Sequence, residues 1–417
     1  MARRTVSVMV AAVCLALAAP VASAGAAEPG AGGARSGDTR SGGAGTGGAR
    51  AAALKAVTDA GAAAAIAEVR DEDGVWRAGT GVADLATGAP VRTDGRFRAG
   101  SITKMFTSTT VLQLVGEGRI GLDDPIERYL PGLVPNGGNI TVHQLLNHSS
   151  GLWDPTNEKG GLFPDVTDPV AVRTWIDQGG LTRTITPAQV VAASVAHAPN
   201  FPPGARFSYS NVNYTLLGMI IERVTGHGYA QEITARILRP LGLSGTYFPG
   251  TATDIRGPHA HGYVTLPEGP APAERDRDVT VASVSWANSA GELISTLADL
   301  NRFERALLGG RLLSPQLMAA MRTTIPVPVD GRPSGLEYGL GLARLQLSCG
   351  AVYGHDGAVT GYSSQLWSSG DRQVAMSVTT RGGATEATAQ LVAEGGFLEQ
   401  AFCGGHQGGG EAPAKLG

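Results

Sequence analysis

Ala99-Gly100-Ser101-Ile102-Thr103-Lys104 is the stretch from which the rest of the chain can be read. Gly100 interrupts regular structure, and apolar residues at three- and four-residue steps predict an amphipathic helix over 102–115, beginning at Ser101. Three residues are almost one helical turn, so the spacing puts the Lys104 amine on the same face as the Ser101 hydroxyl. A serine hydroxyl needs a base to take its proton. A lysine whose pKa falls on burial can serve, and an arginine cannot. The helix start also offers backbone N–H groups to a developing oxyanion. The same tetrapeptide equally describes a capping serine followed by a solvated lysine.

Working outward, strand signals occur at both ends of the folded part. Runs at 64–69 and 75–82 flank the turn residues Asp71-Glu72-Asp73-Gly74. Leu336, Tyr338, Leu340 and Leu342 alternate at the strand period, as do Val374, Met376 and Val378. A short helix is expected over 51–60, and a final one carries Leu391, Val392, Phe397, Leu398 and Phe402. Between the strand groups lie helical patterns at 102–115, 212–224 and 297–308. This order predicts an α+β fold: an antiparallel sheet built from both ends of the chain, flanked by N- and C-terminal helices, with a mostly helical region inserted. Regular strand–helix alternation, which a doubly wound sheet needs, is missing.

The 417 residues carry a formal net charge of −3, with no basic excess for phosphates, which argues against nucleic-acid binding. Of the 33 basic residues only Lys55, Lys104, Lys159 and Lys415 are lysines. Residues 1–24 read as a secretory signal, with Arg3 and Arg4, an apolar stretch over 6–19 and the small-residue site Ala22-Ser23-Ala24. An uncleaved anchor and a twin-arginine signal are the competing readings; with cleavage no stable membrane anchor is left. Residues 25–50 are a Gly/Ala-rich spacer too poor in apolar surface to order, and 404–417 form a similar tail. The folded domain is then 51–403. Loss of the signal leaves Cys349 and Cys403, which in an exported chain most simply form one disulfide.

Two further constellations complement Ser101. Tyr209-Ser210-Asn211 lies between the turn Pro202-Pro203-Gly204 and a helix, where a tyrosine hydroxyl can relay a proton and an asparagine can orient Lys104. Tyr353-Gly354-His355-Asp356-Gly357-Ala358 leads into a strand; its glycines allow close backbone approach and expose the imidazole. Each also reads, alone, as a capped helix or a turn.

Together, S-x-x-K at Ser101, Tyr-x-Asn at Tyr209 and His-x-Gly at His355 resemble the serine β-lactamase and penicillin-binding-protein superfamily, most closely its secreted actinomycete D-alanyl-D-alanine carboxypeptidases. The resemblance extends to His148-Ser149-Ser150-Gly151-Leu152 and Ser285-Trp286-Ala287-Asn288-Ser289-Ala290-Gly291. It implies that Ser101 is acylated and that Lys104 activates it, with Tyr209, Asn211 and His355 assisting. It also implies an oxyanion hole from the N–H groups of Ser101 and Ala358, a cleft lined by Trp286, Asp356 and Gly357, and the Cys349–Cys403 pairing. A D-Ala-D-Ala carboxypeptidase-like hydrolase is expected, secreted and monomeric, without cofactor or metal. Its substrates would be a peptidoglycan-type peptide, a β-lactam or an ester.

One departure matters. The carboxypeptidases it resembles hold the substrate's terminal carboxylate with threonines in the strand motif and an arginine shortly before the first disulfide cysteine. Here those strand positions are Asp356 and Ala358, and before Cys349 come Ala343 and a displaced Arg344. Asp356 is expected to repel a substrate carboxylate, so an esterase, β-lactamase or D-amino-acid amidase is the alternative. A β-lactam sensor without turnover is another. The competing nucleophile Ser289, with Asp299 and His355 in α/β-hydrolase order, lacks the strand–helix alternation of that fold. Asn147-His148-Ser149-Ser150-Gly151 lacks the first glycine of the same elbow. His259 and His261 can share a strand face but lack a third metal ligand.

Overall fold

The computed structural model describes residues 43–404, apart from 166, 268–273, 330–331 and 383. The expected signal, most of the spacer and nearly all of the tail lie outside the described residues.

β1 (Ala64–Asp71) and β2 (Gly74–Asp84) form a hairpin in which Asp71 pairs with Gly74, whose φ of 116° suits glycine alone. A short β3 (Ala89–Pro90) follows. β4 (Phe97–Arg98) and β7 (Ile294–Ser295) pair as a two-residue ladder, and β5 (Tyr263–Pro267) pairs with β6 (Glu274–Asp278). The C-terminal part supplies β8 (Ile325–Val329), β9 (Arg332–Tyr338), β10 (Ala343–Leu347), β11 (Gly350–Val359), β12 (Tyr362–Ser369) and β13 (Arg372–Thr379). Among the described residues the main sheet has nine strands in the order β3-β2-β1-β13-β12-β11-β10-β9-β8. Every pairing in it is antiparallel. The first and last strands of the described part, β1 and β13, lie side by side, with Ala64 opposite Thr379.

Strand alternation divides the core between the two faces of this sheet. Ala65, Ala67 and Val69 join Trp367, Val374, Met376 and Val378 beneath the terminal helices α1 (Gly43–Asp59) and α6 (Ala384–Cys403). Ile66, Leu366 and Ala375 face the opposite way, onto the inserted helices. Those include α2 (Thr103–Gly116), α3 (Asn211–Thr225), the one-turn α4 (Asn288–Gly291) and α5 (Leu297–Leu308).

Two expectations need correction. α1 begins at Gly43, inside the segment read as a spacer up to residue 50, because this stretch has something to pack on. Arg50 is buried and bonds Asp71 at 2.6 Å, Gly47 lies against the Trp76 ring, and Leu54 and Val57 fill the core below. α2 is not amphipathic towards solvent: Thr103, Thr107, Ser108, Thr109 and Thr110 are as buried as Met105 and Phe106. Its hydroxyl face meets protein, with Thr107 Oγ1 donating to the Ser289 carbonyl at 2.7 Å and Ser108 Oγ 3.0 Å from the Tyr214 hydroxyl.

The Cys349–Cys403 disulfide is formed, with Cα atoms 5.5 Å apart. It ties the β10–β11 turn to the end of α6. Closing a loop of 54 residues stabilises the fold by roughly 4 kcal/mol in the chain-entropy model.

Candidate active site

Ser101 sits in a 3-10 turn (Gly100–Ile102) that runs directly into α2. Gly100 has φ of 52°, and a methyl group on it would lie 2.6 Å from the Ala358 nitrogen. A methyl group on Gly357 would lie 2.1 Å from the Ala99 carbonyl oxygen and 3.0 Å from the Ser101 nitrogen. Both glycines are therefore required for the turn and β11 to touch, and this contact sets the Ser101 and Ala358 amides side by side. β10 pairs with β11 only as far as Gly354, so 355–359 bond β12 alone and present a free edge to the turn.

Lys104 is fully buried, and its Nζ donates to Asn211 Oδ1 at 2.8 Å, the Ala290 carbonyl at 2.8 Å and Ser101 Oγ at 3.0 Å. Burial lowers its pKa to about 7; Asp154 and Asp356 oppose that fall with their negative charges. Near neutral pH the amine is thus free in a large fraction of molecules. Asn211 and Ala290 then hold two of its N–H bonds, which leaves the lone pair facing the Ser101 hydroxyl. Tyr209 donates its hydroxyl to Ser101 Oγ at 2.8 Å, and its ring centroid is 4.8 Å from Lys104 Nζ.

The partners of these groups are themselves held. Asn211 Nδ2 donates to Thr156 Oγ1 at 2.8 Å and approaches Asp154 Oδ2 at 3.4 Å, which fixes the amide with its oxygen towards Lys104. Asp154 is buried, and burial raises its pKa although Thr156, Asn211 and Asn157 donate to it. The buried His148 ring lies tilted by 31° against the Tyr209 ring with centroids 4.2 Å apart, and its Nδ1 accepts the Ser210 N–H at 3.2 Å. α4 brings Ala290 in, and β4–β7 pairing fastens that turn to the chain just before Ser101.

His355 departs from expectation. Its imidazole is buried rather than exposed, with Nδ1 donating to the Asp356 carbonyl at 2.5 Å and Nε2 2.8 Å from the Tyr338 hydroxyl. Burial, aided by the Lys104 charge, lowers its pKa to about 3. It is a neutral ring that reaches Tyr209 through Tyr338, whose ring meets Tyr209 edge-on at 6.3 Å. Asp356 is also buried; its charge acts on Lys104 and on Glu394 of α6. Trp286 is half-buried, with Phe163 edge-to-face at 5.0 Å, on the stretch that ends at Ala290.

The competing nucleophiles are not assembled. Ser289 is buried and donates to the Tyr214 carbonyl at 2.8 Å, while Asp299 is occupied by Gly245 N–H and Thr246. Ser149 Oγ donates to Asn147 Oδ1 at 2.6 Å. His261 pairs with Asp278 at 2.6 Å and His259 with the Gly257 carbonyl at 2.7 Å. Sequence reasoning missed Asp154, Tyr338 and the Ala290 carbonyl. The last is a backbone atom and leaves no residue-type signal.

With this geometry established, a family model described as Beta-lactamase matches residues 51–398. The chain belongs to the β-lactamase family. It is a serine hydrolase of the β-lactamase and penicillin-binding-protein superfamily, and the fold expected from its sequence is the fold observed. Among curated relatives, penicillin-binding protein 4 of Amycolatopsis lactamdurans is 29% identical over 73% of this chain and 77% of its own. Among solved structures, a D-stereospecific amidohydrolase from a Streptomyces species is 36% identical, with a TM-score of 0.73 over 86% of this chain and 98% of its own. The D-amino acid amidase of Ochrobactrum anthropi SV3, complexed with L-phenylalanine amide, is 26% identical, with a TM-score of 0.73 over 85% and 97%. No helix among the described residues is long and apolar enough to cross a membrane.

Proposed function

We propose that this β-lactamase-family hydrolase cleaves amides, short peptides or esters of D-configured amino acids, in preference to substrates with a free terminal carboxylate. The observation that carries this reading is the state of Arg344. Its guanidinium is held by Glu337 Oε1 and Gln346 Oε1, each at 3.2 Å, while Ala343 before it is buried. Asp356 and Ala358 occupy the strand positions where a carboxylate-binding site would want threonines. The likeness to a D-stereospecific amidohydrolase over nearly all of that protein supports the same reading.

The chemistry follows from the distances. Ser101 Oγ attacks the carbonyl carbon and passes its proton to the Lys104 amine, 3.0 Å away. The Ser101 and Ala358 N–H groups receive the oxyanion. As the C–N or C–O bond breaks, Tyr209 donates its hydroxyl proton to the leaving group and is reprotonated from the Lys104 ammonium. Water then attacks the acyl-enzyme and gives its proton to Lys104, which passes it to Ser101 Oγ as the acyl C–O bond breaks, freeing the acid and restoring both the hydroxyl and the amine. His355 contributes orientation only. We place the enzyme outside the cytoplasm and as a monomer; the disulfide and the 1–24 leader pattern support export.

The test is a comparison of kcat/KM for D-phenylalanine amide, its L isomer and an acyl-D-Ala-D-Ala peptide. Faster turnover of the D-amide than of either is expected. Faster turnover of the D-Ala-D-Ala peptide would reinstate the carboxypeptidase.

A further inference from the structure

Behind the strand that carries Ala358 lies a carboxyl group the reaction does not use. Glu394 of α6 is buried, and its Oε2 accepts from Ser363 Oγ at 3.0 Å and Gln365 Nε2 at 2.8 Å. Ser363 and Gln365 are the β12 residues registered opposite Ala358 and Asp356. Trp367 Nε1 donates to Gln365 Oε1 at 2.8 Å, which fixes the amide with its nitrogen towards Glu394. The other carboxyl oxygen, Oε1, is buried and receives no hydrogen bond among the described residues. A buried ionised carboxylate wants both oxygens bonded, whereas the neutral acid tolerates this arrangement.

The charged surroundings agree. Burial raises the Glu394 pKa to about 7, and the Asp356 charge pushes it the same way. β12 presents the neutral Ser363 and Gln365 to it. Asp356 of β11 in turn faces His355, whose Nδ1 is 3.6 Å from its Oδ1, and its field reaches Lys104.

We propose that Glu394 is a positioning residue: through Ser363 and Gln365 it holds the 356–358 segment of β11, and with it the Ala358 N–H, in place beside Ser101. It does so as the neutral acid. Ionisation puts a second negative charge next to Asp356, behind an amide that must present positive charge to the oxyanion. The inference rests on acyl transfer at Ser101 and is independent of which acyl group is natural.

The experiment uses the full chain with 4-nitrophenyl acetate, following kcat and KM across the pH range, for wild type, E394Q and E394A. Glutamine reproduces the neutral acid, so E394Q keeps kcat within about twofold at low pH and loses the alkaline decline that wild type shows as Glu394 ionises near pH 7. E394A lowers kcat about tenfold with KM nearly unchanged, a fraction of what removing an oxyanion donor costs. An E394Q profile that superimposes on wild type overturns the proposal, as does an E394A enzyme with unchanged kcat. Should E394A fail to fold, the E394Q profile decides. Failure of the acyl-transfer premise shows separately, as ester turnover surviving in S101A.

Discussion

Lys104 and Lys55 sit on two helices of the same chain, each one turn from a polar partner, and their surroundings make them opposites. Lys55 on α1 is 65% exposed and bonds Asp59 in water. Lys104 on α2 is fully buried, meets three neutral acceptors within 3.0 Å, and has its pKa brought down to about 7. Spacing on a helix therefore decides only which groups meet. Whether the amine is a permanent cation or a base is decided by how completely the rest of the fold covers it. Here the cover is α3, which brings Asn211, and the α4 turn, which brings Ala290.

The sharpest way to break this contrast is K104R. Arginine keeps the positive charge but cannot give up its proton, so acylation of Ser101 falls by about 10³-fold or more, read as the rate of covalent labelling by a penicillin. Retained labelling would show that Lys104 acts as a charge and not as a base.

The pH dependence follows with a definite sign. The base must be unprotonated, so in E394Q, which lacks the ionising carboxyl, kcat/KM for an ester rises with pH through about 7 and then levels off. Because the folded pKa lies below the ordinary lysine value, the unfolded chain binds the extra proton between about 7 and 10.5, and raising the pH over that window favours the fold. Wild type accordingly gains Tm relative to K104M between pH 7 and 9. A constant difference would contradict the depressed pKa.

Away from the site, replacing Cys349 and Cys403 together by serine costs about 2–4 kcal/mol of stability, measured by denaturant unfolding, with kcat little changed at low temperature. The smallest effect belongs to Lys55. K55A leaves activity unaltered and moves Tm by no more than about 2 °C, since an exposed helical pair contributes little. A larger shift would make α1 more dependent on that pair than on Leu54 and Val57.

The sheet was legible because its strands at both ends of the chain bury two faces. Val374, Met376 and Val378 alternate without interruption, and the Asp71–Gly74 turn names its own hairpin. The Ser101–Lys104 relation was legible because one helical turn sets it. What escaped was whatever depends on long-range packing. β4 and β7 are two residues each, too short for any period. β5–β6 carries Glu-Arg-Asp-Arg-Asp on one strand, which reads as a solvated loop. α1 was shortened because glycine and alanine carry little periodic signal before Trp76 and Asp71 supply a surface. His355 was expected in the open because its flanking glycines suggest exposure, yet they serve close packing of β11 on the Ser101 turn. The charge of Asp356 acts on Glu394 of α6, 394 − 356 = 38 residues further along the chain, a neighbour no local pattern announces.

Ser101 Oγ, beside a proton-accepting Lys104, is the atom that is acylated. The direct measurement is peptide mapping by mass spectrometry after reaction with a penicillin, for wild type and S101A. One adduct per chain is expected, on the peptide that contains Ser101, and none in S101A. An adduct on any other peptide, or a labelled S101A, would contradict it.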